Sequence, residues 1–458
     1  MIWIKVIKQD ISDDTIYLPK KVAEKLPKEV TLQFGLKEIK VNLCEIEKSS
    51  IDKKNSFEDS IEVLCGKDII QKLYIKESLI YQMIYKDETL YIGPVIGLLL
   101  GEQSYYYHNR NMQGFTRGMD IYNEIGGLFI AFKDISIDWN SMVINGLYYD
   151  NEVMEWRYGT LPFPSVVFRR AFYTSQKVVD ELKRLTGNRV FNSTRFDKWE
   201  MHKILERHKN FQEYLPETKE LIDIKFFHNF MNKYSDVILK PAGLSRGRGI
   251  CFVHRINDNF GIYDYRISDN PRFYIVDKTS ADEFIENNFI QKNYIIQEQV
   301  KLATINGAPF DIRIVIGKNE DKRWRCRGIE CRKAGAKNKI TNISRGGQAL
   351  SINNAMRLAF GPCIDTNKIR NELISVALKF CEIMDNSGEH FAEFGLDFAI
   401  DPNKHYWFIE ANVRPVFRGF KHMDYENYLH IRHMPLLYAA SLAGFGKGAR
   451  DSEPKAML

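Results

Sequence analysis

Two short apolar runs carry the residues best suited to chemistry: Phe391 to Ile400, which holds Asp397, and Tyr406 to Pro415, which holds Glu410 and Asn412. The turn Asp401-Pro402-Asn403-Lys404 joins them, and the pattern predicts a hairpin whose strands bring Asp397 and Glu410 side by side. Glu410 and Asn412 share a face, because side chains alternate along a strand. Three hard oxygen donors then converge. Such a set suits Mg²⁺, which takes one or two carboxylates and completes its octahedron with waters and phosphates. Incidental acids on a surface hairpin would give the same pattern.

Five further segments could act with the hairpin. Val237 to Pro241 reads as a buried strand ending at Lys240, and it runs into a loop containing Gly243, Gly247 and Gly249. Glycines let backbone N–H groups approach and cradle phosphate, and Ser245, Arg246 and Arg248 add donors and charge. No GKS/T follows, so this is not a P-loop. Asp197-Lys198-Trp199 opens a helix from which Lys198 can place an ammonium on a phosphate. Tyr294 to Leu302 contains a strand exit where Gln297, Glu298 and the backbone near Val300 can meet an adenine amine. Phe310 to Ile316 alternates, with Asp311 and Arg313 on one face, and Ile340 to Ala349 is a second candidate anion loop with Asn342 and Arg345. Each segment taken alone also fits a solvated face or an ordinary hairpin tip.

In this order, the segments resemble the ATP-grasp superfamily over roughly 196–440, and within it the proteins of the YheC/YheD type associated with endospore coats. Ile92 to Gly97, Trp156 with Pro162-Phe-Pro164, and Leu215 to Thr218 extend the resemblance to most of the chain. It implies an α+β ATP-grasp fold, two subdomains gripping ATP, preceded by an α/β pre-ATP-grasp domain and a small N-terminal β domain. It implies that Lys198 and Lys240 contact the α- and β-phosphates, that Gly243 to Gly249 form a lid, and that Gln297, Glu298 and Val300 hold adenine. Asp397, Glu410 and Asn412 would hold two Mg²⁺ ions, with Glu410 bridging. Arg313, Arg345 and Arg414 would neutralise the transferred phosphoryl group. Many ligases of the superfamily place an arginine two residues before the first metal aspartate. This chain has Gly395 there, with Arg332 or Arg345 as the substitutes to hand.

The implied activity is an ATP- and Mg²⁺-dependent ligase joining a carboxylate to an amine through an acyl phosphate. Such chemistry needs positioning and charge neutralisation rather than a protein nucleophile. The alternatives are a phosphotransferase on the same fold and a non-catalytic spore-coat protein. The expected partners are ATP, an unidentified acid and amine, and coat proteins, in the cytoplasm or at the coat.

The elements that must position these groups fall into four stretches. Strands at the start of the chain predict a small barrel or sandwich over 1–92. Alternating strands and helices predict a parallel α/β unit over 93–195, with helices at Tyr105 to Gly118 and Ser175 to Leu185. Mixed α and β follows over 196–443, including a capping box at Ser280 and Glu283, a helix capped by Asp365 and a last helix over 424–442. Residues 444–458 read as a polar tail. With 458 residues, the chain is too long for one ordinary core. The net charge of +6 permits anionic ligands without announcing nucleic-acid binding, and the basic stretch Arg323 to Lys339 lacks the interleaved aromatic residues that single-stranded nucleic acid stacks on. Seven scattered cysteines without a CxxC pair suggest neither zinc nor a disulfide framework. No signal-peptide or bilayer-spanning run is expected.

Overall fold

A computed structural model describes the chain apart from residues 13, 47–59, 102–106, 108, 173, 245–247, 268–270, 336–347 and 447–458, and apart from the side chains of 109–111. The strands form four sheets. The first is a closed seven-stranded barrel in the order Ile2–Gln9, Ile61–Gly66, Thr15–Pro19, Lys37–Ile46, Glu29–Phe34, Thr89–Gly93, Ile80–Lys86. Its alternating apolar positions point inward as Ile4, Val6, Leu18, Leu32 and Phe34, all fully buried.

The second sheet has a parallel centre, Leu128–Phe132, Val95–Leu99, Val166–Arg169 and Val190–Phe191. These strands are continuous apolar runs, because a parallel sheet is covered on both faces. An antiparallel hairpin, Val143–Asp150 with Glu155–Pro162, extends the edge. Its polar outer positions hid it from the sequence reading. The helix expected over 105–118 covers Asn109–Thr116.

The third sheet is antiparallel, in the order Thr218–Glu220, Tyr294–Glu298, Asp236–Pro241, Cys251–Ile256, Asn259–Asp264, Arg272–Val276. Helices Ile224–Lys233 and Lys278–Asn288 close a core of their own beneath it, with Phe227, Leu239, Ile285 and Phe289. The capping box expected at Ser280 is corrected. The helix starts earlier, and Asp277 accepts the Ser280 N–H.

The fourth sheet, also antiparallel, runs Gln348–Ser351, Trp324–Lys333, Ala308–Lys318, Glu393–Ile400, Tyr406–Asn412. Helix Thr366–Asp385, capped by Asp365, lays Ile369, Leu373, Phe380 and Met384 into its core. The last helix, Tyr425–Leu442, is capped by Asp424. It puts Leu436, Tyr438, Ala439 and Ala440 into the core shared by the barrel and the second sheet. Phe445 continues that contact. It is 4% exposed, and a Cβ on Gly93 would come within 2.8 Å of its ring. The polar tail therefore starts later than position 444.

Candidate active site

The third and fourth sheets face each other across a cavity of about 1190 Å³. Lys240 enters it from the end of the strand Asp236–Pro241, on the register that pairs Lys240 with Ile295. The side chain is buried, and its Nζ donates to Gln297 Oε1 at 2.5 Å. Gln297 is fixed in turn by donating to Thr218 Oγ1 at 2.7 Å. Burial, reinforced by repulsion from Lys198, brings the Lys240 ammonium down to about 8 against the pull of Glu410.

Lys198 reaches the same space from the first turn of the helix Lys198–Glu206. Asp197 and Glu200 build a reciprocal capping box there, which fixes the start of the helix. Lys198 Nζ donates to the carbonyl of Leu244, and burial lowers its ammonium below the ordinary lysine range. Two ammoniums thus share one cavity, and among the described residues no carboxylate is bonded to either. Apolar walls stand beside them, formed by Met201, Leu215, Ile295 and Phe408. Leu244 and Arg248 border the same end, while Gly243 lies outside the lining and a Cβ there would meet open space. Gly249 has a φ of +77° and leaves 2.9 Å between a would-be Cβ and Pro241, so glycine is required for the turn itself. Ser245, Arg246 and Gly247 lie outside the described residues, as does Arg345.

Glu298 and Val300 are not among the lining residues. Glu298 Oε1 accepts the backbone N–H of Glu217 at 2.9 Å instead. The strand exit therefore offers Gln297 to the cavity and turns Glu298 away from it.

The C-terminal hairpin forms as the spacing predicts, with Asp397 paired to Glu410 and Gly395 to Asn412. Asp397 is engaged by arginines, however. Arg313 donates to both Asp397 oxygens at 2.6 Å, and Arg332 adds a third contact at 3.0 Å. Burial pushes the Asp397 carboxyl up, but the two guanidiniums outweigh it and the net shift is downward. Asp397, expected as a metal ligand, is held in this structure as the counter-ion of two arginines. Arg313 also donates to the Val416 carbonyl at 3.0 Å, so every nitrogen of its fork is engaged. Arg332 is anchored by Asp311 through two bonds of 2.6 Å.

Gly395 makes this arrangement possible. A Cβ there would sit 2.9 Å from Pro415 Cβ and 3.6 Å from Arg313 Nε. The guanidinium beside Asp397 comes from the neighbouring strand, at the pair Arg313 and Asp397.

Glu410 and Asn412 both border the cavity, and Asn412 Nδ2 donates to Glu410 Oε1 at 3.1 Å. Glu410 Oε2 and Asn412 Oδ1 take no hydrogen bond among the described residues. They offer the hard oxygens that a phosphate-bound Mg²⁺ uses. Among the described residues no three His, Cys, Asp or Glu side chains cluster to hold a metal by themselves. The residues therefore fit a magnesium ion carried in on phosphate, and they do not form a closed protein cage.

Sequence reading missed Glu330. It lies on Trp324–Lys333, opposite Arg313, is 1% exposed, borders the cavity, and its Oε2 has no hydrogen-bond partner among the described residues. Burial pushes its carboxyl up to about 7 in spite of Arg332 and Arg313. Asp311, Arg332, Asp397 and Arg313 already balance as two acids and two bases, so Glu330 is surplus to them. A basic strand with one acid gave no sign of which face turns inward.

The remaining cavity wall carries Arg195, whose Nη2 donates to the Gly243 carbonyl, and Arg117, Arg170, Arg414, Arg418 and Arg432. Among the described residues no helix is long and apolar enough to cross a membrane, and all seven cysteines are free.

The chain is similar in sequence to known proteins. The endospore coat-associated protein YheD of Bacillus subtilis (strain 168) is 25% identical over 377 residues, covering 79% of this chain and 81% of that one. YheC of the same organism is 23% identical over 299 residues, covering 64% and 82%. Among solved structures, N5-carboxyaminoimidazole synthetase from Staphylococcus aureus complexed with ADP aligns at a TM-score of 0.43 and 10% identity, over 76% of this chain and 77% of that one. The VanG D-Ala:D-Ser ligase from Enterococcus faecalis aligns at 0.43 and 11%, over 76% and 96%. The family model described as YheC/D-like ATP-grasp matches residues 187–442. That match takes in both facing sheets and more than half of the sequence, and the chain belongs to the YheC/D-like ATP-grasp family.

Proposed function

We propose that the cavity binds ATP with Mg²⁺ and that the protein uses it to join a carboxylate to an amine. The observation that carries this reading is Lys240, a buried ammonium whose bonded partner is the neutral Gln297 oxygen, with Lys198 beside it. A buried charge without a counter-charge is costly. A triphosphate supplies the missing anion to both lysines, and the adjacent apolar walls suit a purine ring.

In this reading Lys198, Lys240 and Arg248 bind the phosphates, Gln297 and Thr218 border the base, and Glu410 with Asn412 hold the metal. The metal would neutralise charge on the phosphates as they separate. An acceptor carboxylate oxygen bonds to the γ-phosphorus as the bond to the ADP oxygen breaks. The amine nitrogen then bonds to the acyl carbon, phosphate leaves, and the amine gives up its proton. Arg313 and Arg332, held rigid by Asp311 and Asp397, present fixed positive charge to the transferred group; Arg414 and Arg345 are further candidates for that task. Preorganised charge of this kind is commonly the largest contribution to phosphoryl-transfer rates.

The names of the two Bacillus relatives favour a second element, association with the endospore coat. A coat protein that uses nucleotide only as a structural ligand would bind ATP without turning it over. Calorimetry of ATP with Mg²⁺, followed by ADP release with mixed acids and amines, tests both. No binding by folded protein sinks the nucleotide reading. Binding without turnover favours the coat role, and amine-independent ADP release with a stable phosphorylated product favours a phosphotransferase.

A further inference from the structure

Besides Arg195, Arg248, Arg313 and Arg332, five arginines border the cavity, and they come from four separate segments. Arg117 follows the helix Asn109–Thr116, Arg170 follows the strand Val166–Arg169, Arg414 and Arg418 follow Tyr406–Asn412, and Arg432 lies in the last helix. Arg170 has an acid, donating to Glu393 Oε1 at 3.0 Å. Among the described residues no ion pair engages the other four.

Arg432 is built into its place. Its Nη1 donates to Tyr428 Oη at 3.0 Å, its Nη2 to the Gly114 carbonyl, and its guanidinium lies 5.5 Å from the centre of the Tyr428 ring. Its Nε is buried with no hydrogen-bond partner among the described residues. The turn holding Arg117 is close by, since a Cβ on Gly118 would lie 3.9 Å from Arg432 Nε and Nη2. Phe417 and Tyr428 add apolar wall.

A magnesium-bound nucleotide brings its own counter-ions, and its phosphates answer Lys198, Lys240 and Arg248. It leaves the guanidiniums of this wall unmatched. The activated carboxylate, beside the γ-phosphate, is one anion facing Arg313 and Arg332 as well, so it does not by itself answer Arg117, Arg418 and Arg432. Guanidinium forks fit carboxylates in a planar, two-bonded geometry that lysine does not offer. A cavity of about 1190 Å³ also has room for more than a nucleotide.

We infer that the acceptor is a polycarboxylate, with one carboxylate activated and at least one more bound by Arg117, Arg418 and Arg432. This rests on the ligase reading for the identity of the activated group. The distant site itself is a separate matter, open to test with or without nucleotide.

The test is calorimetry with acetate, glutarate, tricarballylate and glycerol 3-phosphate, each titrated into protein alone and into protein saturated with a non-hydrolysable ATP analogue and excess Mg²⁺. The variants are Arg432→Gln and, at an exposed position, Arg418→Gln; analogue affinity is the control for folding. Glutarate and tricarballylate should bind at least about tenfold more tightly than acetate, and each variant should narrow that gap with analogue affinity held. Equal binding of acetate and tricarballylate, or a gap that neither variant narrows, overturns the inference. Preference for glycerol 3-phosphate overturns the carboxylate assignment. Failure of the analogue alone sinks the nucleotide reading and leaves the titrations without nucleotide to decide this one.

Discussion

Asp397 and Glu410 are direct partners across two paired strands, yet only Glu410 borders the cavity. The pairing register shifts immediately after Asp397, and there the two carboxylates part company. Asp397 turns toward Arg313 and Arg332, while Glu410 stays with Asn412. Two acids that look equivalent in the sequence should therefore respond differently to substitution.

Asp397→Asn leaves two buried guanidiniums facing each other without their shared acid. Loss of one partner from a buried ion pair costs about 3–5 kcal/mol, and denaturant unfolding without Mg²⁺ should register it. Arg313→Met/Asp397→Leu should recover part of that loss. A variant as stable as wild type would show that the ion pairs do not hold the sheet.

Glu410→Ala/Asn412→Ala should leave stability within about 1 kcal/mol, since both side chains are only partly buried and bonded mainly to each other. Nucleotide binding should lose its dependence on Mg²⁺. Calorimetry over a magnesium series reads this directly, and undiminished Mg²⁺ dependence would move the metal elsewhere.

Lys240 makes binding consume protons. Its ammonium stands at about 8 in the folded protein against 10.5 ordinarily, so without ligand stability rises with pH between those values, because the unfolded chain holds more protons there. A phosphate beside it favours the charged form and raises the value again. ATP binding near pH 8.5 should therefore take up protons, seen as binding enthalpies that change with the ionisation heat of the buffer. Lys240→Met should abolish the uptake and weaken binding by roughly tenfold to hundredfold.

Glu330 carries the opposite sign. Its carboxyl is raised from 4.5 to about 7, so the protonated form stabilises the fold fully below 4.5 and that contribution disappears as pH rises through about 7. Glu330→Gln should match wild type near pH 4.5 and exceed it above pH 8 by on the order of 2–3 kcal/mol. Parallel stability curves across that range would contradict the buried, unpartnered carboxyl.

What the sequence disclosed depended on how local the information was. The Asp397–Glu410 hairpin, the Lys240 strand and the Lys198 helix could be read because the turn, the apolar run and the Asp197 cap lie within a few residues of the group they place. Glu330 and Arg332 could not, because the face a basic strand turns inward is decided by its pairing with Ala308–Lys318. The same holds for Asp397: its partner Arg313 arrives from 84 positions away. The five-arginine wall draws on four segments that meet only in the folded protein.

The last helix gives the molecule an asymmetric mechanics. Tyr425–Leu442 is fixed to the barrel and the second sheet through Leu436, Tyr438 and Ala439, while Met434 wedges against Gly317 of the fourth sheet and Arg432 borders the cavity. The wall that carries Arg432 is thus one anvil with the N-terminal half of the chain. The third sheet closes over a separate core of its own, so residues 218–298 are the hammer: a displacement of that sheet would leave the anvil's packing intact.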